Sequence, residues 1–139
     1  MTTSAELVRT AFDAFMRGDW PAVSEVMDPA VEWFWYEPGE WDCHDRGQVL
    51  ATLRERHREG AVTGIHAVEA IDERVFVEVT GPRLAAGGLP GGRAFLVVTV
   101  RDGRIVRMQD HASPAAARIA AGPIRPFPTL RAAARLTCR

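Results

Sequence analysis

The side chains with the most chemistry to offer are crowded into one short stretch. WFWYEPGEWDCHDRG, from Trp33 to Gly47, holds three of the four tryptophans, the single tyrosine, one of two cysteines, one of four histidines and four carboxylates. Apolar rings beside ionisable groups are what a small-molecule pocket needs, because they bind an organic ligand and shift the pKa of whatever titrates among them. Cys43 next to His44 suggests an activated thiolate, but consecutive residues rarely aim at one point. Asp45 stands three residues before Gln48 at the start of a helical pattern, the spacing of a helix cap. Glu37, followed by proline, places a carboxylate after the aromatic run.

Other chemistries are excluded by what is missing. Every basic side chain is arginine, and there is no asparagine. Without lysine there is no Schiff-base nucleophile, and the run Gly87-Gly88-Leu89-Pro90-Gly91-Gly92 cannot belong to a phosphate-binding Walker motif. A formal net charge of −1 gives no reason to expect capture of nucleic acid or an anionic membrane. No closely spaced set of histidine, cysteine and carboxylate ligands suggests a metal, and no motif implies a cofactor. Cys43 and Cys138 lie far apart and read as two free thiols of a cytosolic chain. The opening MTTSAELVRT lacks an apolar signal core and no apolar run reaches membrane-span length, which implies a cytoplasmic protein.

The elements that must hold these residues follow from periodicity and punctuation. Thr3-Ser4-Ala5-Glu6 is a capping box, behind which Leu7, Val8, Ala11, Phe12, Phe15 and Met16 recur at helical spacing. Gly18 ends that helix; Asp19-Trp20-Pro21 opens a second, which Asp28-Pro29 stops. Residues 31–36 read as the first strand and 46–59 as a third helix burying Val49, Leu50, Leu53 and His57. Strands are predicted over 62–71, 74–80, 93–101 and 104–112, with the last pair joined at Asp102-Gly103, a strong hairpin signal. Residues 81–92 read as an irregular loop, and Ser113-Pro114 caps a short alanine-rich helix to about Ala121. The domain is therefore predicted to occupy residues 1–122, followed by a Pro- and Arg-containing tail at 123–139.

This α+β order of helices before a run of antiparallel strands resembles the SnoaL-like branch of the nuclear transport factor 2 (NTF2)-like superfamily. The matching pieces are AFDAFMRGDWPAVSEVM with the strand VEWFWY, the turn-to-helix step DRGQVLATL, and the hairpin VRDGRIVRMQDHAS. The resemblance implies a cone, three N-terminal helices packed on a curved, mainly antiparallel sheet, and a homodimer formed through the outer sheet face. It also implies a hydrophobic pocket. Matched to isomerase-like members, the last strand would turn Val106, Met108, Asp110 and Ala112 inward, and Ile105, Arg107, Gln109 and His111 outward. Trp33 and Trp35 would look inward from the first strand, with Phe12 and Phe15 closing the box from the first helix. Asp110 then becomes a desolvated carboxyl of raised pKa, suited to moving protons near neutrality. Its alternatives are pairing with an arginine or a wet strand end. His66, mid-strand, is either a proton partner inside the cone or hydrogen-bonded structure, and His44 falls at the mouth within reach of a substrate.

Departures from the active members narrow the chemistry. The first-helix position of the isomerases' catalytic tyrosine falls near Ala11, and that of their oxyanion-hole carboxylate near Val97. No strand carries the Arg-x-Asp of limonene-epoxide-type hydrolases, and Tyr36 has outward parity. Three readings survive. One is a cofactor-free acid–base enzyme, a cyclase or isomerase of a small carbonyl compound using Asp110. The second is a non-catalytic ligand-binding or dimerisation module, and the third a partner-binding protein using its outer face or basic tail.

Overall fold

The computed structural model describes residues 2–37, 39–81 and 92–122. Most of the Gly- and Pro-rich loop, and the whole tail with Cys138, lie outside the described residues.

Helix α1 (Ser4–Arg17) begins at the Thr3–Glu6 capping box and ends where Gly18 turns left-handed at φ 70°. A side chain there would be strained, and a Cβ would also press on the His57 ring at 3.3 Å. Asp19 caps α2 (Trp20–Glu25), its carboxylate accepting from the Ala22 amide at 3.2 Å. Strand β1 (Met27–Phe34) starts four residues earlier than its aromatic composition suggests. Asp28-Pro29 does not leave the sheet. It sits in an irregular stretch between Met27 and Glu32, where the Asp28 carboxylate takes the Ala30 amide at 2.8 Å. Proline is tolerated there because, among the described residues, β1 is an edge strand with no ladder beside Pro29 on its other side.

Helix α3 (Arg46–Arg58) is capped by Asp45, as its spacing suggests, with the Gln48 amide at 2.8 Å. Strands β2 (Gly64–Ile71), β3 (Arg74–Thr80), β4 (Arg93–Arg101) and β5 (Arg104–His111) follow, and α4 (Pro114–Ala121) closes the described chain. The β4–β5 turn has Asp102 and Gly103 both at positive φ, 54° and 75°, the two-residue geometry whose twist suits a hairpin.

The five strands form one sheet in the order β1-β5-β4-β3-β2. Only the β1–β5 pairing is parallel. Among the described residues there are four helices, and only α1 and α2 precede the first strand; α3 is inserted between β1 and β2. The three expected N-terminal helices are therefore two helices, a strand and a helix. α1, α2 and α3 pack over the inner face of the curved sheet and α4 over the outer.

Both faces of the central strands are buried, which is why β3 and β4 are nearly continuous in apolar residues. Val75, Val77, Val79, Ala94 and Val98 belong to the inner core. Phe76, Phe95 and Val97 belong to a smaller outer core beneath Ala117 and Ala121. At Gly81 the chain passes so close to Ala61 that a Cβ would lie 1.8 Å from its carbonyl oxygen. Only glycine fits that approach. None of the described helices is long and apolar enough to cross a membrane.

Candidate active site

The helices and the inner sheet face line a cavity of about 400 Å³, the size of pockets that hold drug-sized ligands. Its walls are mostly aliphatic and aromatic. The ionisable groups among its described lining residues are Asp110, Arg56 and Glu59.

Asp110 is placed by register. β5 lies antiparallel to β4 with Asp110 opposite Leu96, and parallel to β1 with Met108 beside Trp33. Trp33, Met108 and Asp110 thus share one face. The indole Nε1–H of Trp33 donates to Asp110 Oδ1 at 2.8 Å. Asp110 is the single buried charged residue among those described, at 9% exposure, and it joins no ion pair among them. Burial pushes its pKa from 3.8 up to about 7. The Trp33 hydrogen bond and the charge of Arg56 pull against that rise, and Asp42 adds to it. Desolvation wins because one indole donor replaces only part of the hydration shell of a carboxylate.

Trp35 comes just after β1, where the Asp42 carboxylate accepts its backbone N–H at 2.9 Å. The returning loop is tied to β1 by two backbone hydrogen bonds between Trp33 and Cys43, at 2.8 and 2.9 Å. These bonds cover the free edge of β1 beside Trp33 and hold the aromatic segment against the cavity. Cys43 is buried outside the pocket lining, its Sγ 3.5 Å from the Thr52 hydroxyl.

Phe12, Phe15, Trp33, Trp35, Met108 and Asp110 all line the cavity. Two other sequence candidates do not. His66 is exposed at a register shift in β2 between Ile65 and Ala67, its Nε2 3.2 Å from the Thr80 hydroxyl. The extra residue of a bulge does not follow strand alternation, so Ile65 and not His66 reaches the cavity. His44 is also turned away. Its ring lies edge-on to Phe34, which alternates with the inward Trp33, and its Nδ1 is 3.5 Å from Glu32.

A second register shift corrects the parity of β5. Thr99 pairs with Arg107 but Val100 with Ile105, leaving Val106 as the extra residue. Ile105 therefore lines the cavity in place of Val106, whereas Met108 and Asp110, beyond the shift, keep the alternation. Ala112 is exposed past the strand end. His57, read as a core residue, is exposed at the junction of α1, α2 and α3, its ring edge-on to Phe15 and Trp20 and its Nε2 3.3 Å from the Met16 carbonyl.

Sequence reasoning missed Arg56 and Glu59. A signal was available: Val49, Leu53 and Arg56 are spaced i, i+4, i+7 on one stripe of α3. Arg56 Nη1 lies 3.3 Å from Glu59 Oε1, and each side chain is about one-third exposed. Ala11 lines the cavity without a hydroxyl, and Leu96, not Val97, faces Asp110 from β4.

The architecture is that of the NTF2-like superfamily. A candidate polyketide cyclase from Sinorhizobium meliloti superimposes with a TM-score of 0.60 at 20% identity, over 76% of this chain and 94% of its own. Bal32a, from a soil-derived mobile gene cassette, gives 0.61 at 24% identity, over 78% and 87%. An NTF2-like protein of Cytophaga hutchinsonii gives 0.62 at 11%, over 84% and 95%. No curated protein matches the sequence. The chain itself belongs to the SnoaL-like domain family, whose pattern it matches over residues 8–108.

Proposed function

We propose that this protein is a cofactor-free acid–base enzyme acting on a small hydrophobic carbonyl compound, as a cyclase or isomerase, with Asp110 as the proton carrier. The observation that carries the reading is a carboxyl with a pKa of about 7, hydrogen-bonded to an indole, in the wall of an apolar cavity of about 400 Å³. Such a group is protonated and ionised in comparable amounts near neutrality, so it can both take and return a proton. Phe12, Phe15, Trp33, Trp35 and Met108 would bind the apolar body of the substrate.

Nitrobenzisoxazole tests the base directly. A carboxylate removes its ring C–H proton, the C–H electron pair forms the nitrile as the N–O bond breaks, and the charge leaves on a coloured phenolate. The rate should rise with pH through about 7. Asp110→Asn should lower it by about 10²–10⁴-fold while the same ligand still quenches tryptophan fluorescence. An undiminished rate in that variant removes Asp110 as the base.

The second reading, a binding module without turnover, is favoured by how few polar groups the cavity offers. Quenching in the wild type without any Asp110-dependent rate would support it. The family likeness also supports a homodimer through the outer sheet face, where Arg93 pairs with Glu78 and Arg118 of α4 with Glu69. Sedimentation showing only monomer at high concentration would remove that part.

A further inference from the structure

Trp35 stands where β1 leaves the sheet. The ladder to β5 ends at Phe34 beside Gln109, so the peptide groups of Trp35 need other partners. Two side chains supply them. Asp42 Oδ1 accepts from the Trp35 N–H at 2.9 Å, and Gln109 Nε2 donates to the Trp35 carbonyl at 3.2 Å. Each partner is itself held. Asp42 closes a turn from Gly39, its amide donating to the Gly39 carbonyl at 3.2 Å and its Oδ2 accepting from the Gly39 amide at 3.3 Å. The next residue, Cys43, is fastened to Trp33. Gln109 alternates with the inward Met108 and Asp110, and its Nε2 also donates to the Asp110 backbone carbonyl at 3.1 Å. Its Oε1 accepts from Arg107 Nη2 at 3.3 Å, and the Arg107 guanidinium lies over the Phe34 ring, 4.5 Å from its centroid. These contacts fix the sense of the Gln109 amide, because a guanidinium can only donate and a carbonyl can only accept. One nitrogen thus joins the backbone of Trp35 to that of Asp110. The Trp35 indole packs on Tyr36 with ring centroids 5.1 Å apart and makes no hydrogen bond among the described residues. Its place in the cavity wall therefore depends on how its main chain is held.

We propose that Asp42 and Gln109 are positioning residues that hold Trp35 as a fixed wall, and that this wall sets the size of apolar ligand the cavity selects. A residue clamped at both of its peptide groups presents its ring already ordered, so a small flat ligand gains the contact without a further entropic cost. With either clamp gone, each small ligand must order the ring again, whereas a longer ligand gains the room the ring vacates. The inference rests on the cavity taking an apolar ligand, as the proposed function does, and not on Asp110 acting as a base.

Nitrobenzene and 4-nitrobiphenyl are suitable probes, because both quench tryptophan fluorescence and neither offers a proton for a carboxylate to take. Gln109→Leu and Asp42→Ala should each bind nitrobenzene about fivefold more weakly and keep most of their affinity for 4-nitrobiphenyl. Asp42→Asn, which keeps an oxygen for the Trp35 amide, should keep the wild-type ratio of the two dissociation constants. Trp35→Ala should shift that ratio in the same direction, and adding Gln109→Leu to it should shift the ratio no further. An unchanged ratio in Gln109→Leu, an equal loss for both probes, or a full effect of Gln109→Leu in the Trp35→Ala background overturns the proposal. So does the absence of saturable quenching by either probe in the wild type. If Gln109→Leu fails to fold, Gln109→Glu decides by the same ratio, since it keeps an oxygen for Arg107 but has no N–H to give. Quenching is read without turnover, so a failed benzisoxazole reaction would remove Asp110 as the base and leave this result standing.

Discussion

Burying the Asp110 carboxyl should make the fold lose stability as pH rises, the reverse of the usual behaviour of a carboxylate. The folded-state pKa is raised from 3.8 to about 7, so between those values the native chain holds a proton that the unfolded chain has released. Raising the pH across that window therefore favours unfolding, and above about 7 the loss is complete. At 1.36 kcal/mol per pH unit, the whole rise corresponds to about 4 kcal/mol. From about pH 5 to about pH 8.5, roughly 3 kcal/mol of it should be visible. Asp110→Asn removes the titration and keeps a side-chain oxygen for the Trp33 indole. Urea unfolding of both proteins at the two pH values gives a difference of differences, in which groups common to both cancel, His111 among them. The wild type should lose about 3 kcal/mol more than the variant on going to the higher pH. A difference below about 1 kcal/mol would refute the claim that this carboxyl is desolvated.

Trp33→Phe removes the donor that stabilises the ionised carboxyl. The midpoint of the benzisoxazole pH–rate profile should move alkaline by about one pH unit or more; an unmoved midpoint would mean that the indole bond does not act on Asp110. Gly81→Ala forces a Cβ against the Ala61 carbonyl and should cost about 2 kcal/mol or more in urea unfolding. A neutral result would show that the chain between α3 and β2 can move aside. Thr3→Ala, which breaks the capping box of α1, should cost about 1 kcal/mol in the same assay.

What could be read from the sequence was whatever local chemistry decides. The caps at Thr3, Asp19, Asp45 and Ser113 are each made by a short polar side chain reaching an amide three residues on, and their spacing is visible in the text of the chain. The Asp102-Gly103 turn is equally local. The start of β1 was not visible, because Asp28-Pro29 breaks a helix but is accepted at an unpaired sheet edge. That the strands form one curved, mainly antiparallel sheet came through the family likeness and not from periodicity, and the order of the strands was not read at all.

The site shows the same division more sharply. Alternation carries side-chain direction only as far as the next bulge, and one extra residue reverses everything beyond it. The shift at Val106 lies before Met108 and Asp110, so those two keep the direction that matching to isomerase-like members assigned them, while Ile105 and Val106 exchange roles. The shift beside His66 falls on the candidate itself and takes it out of the cavity. Arg56 was hidden for another reason. On a helix a charged residue on the apolar stripe reads as a solvated edge, since a long side chain can bury its stem and keep its head in water. Only the packing of α3 shows that this one lines the cavity. Two of the ionisable groups that line the pocket therefore differ in legibility: Asp110 is an anomaly within an alternating strand, whereas the place of Arg56 in the lining shows only once the helix has a neighbour.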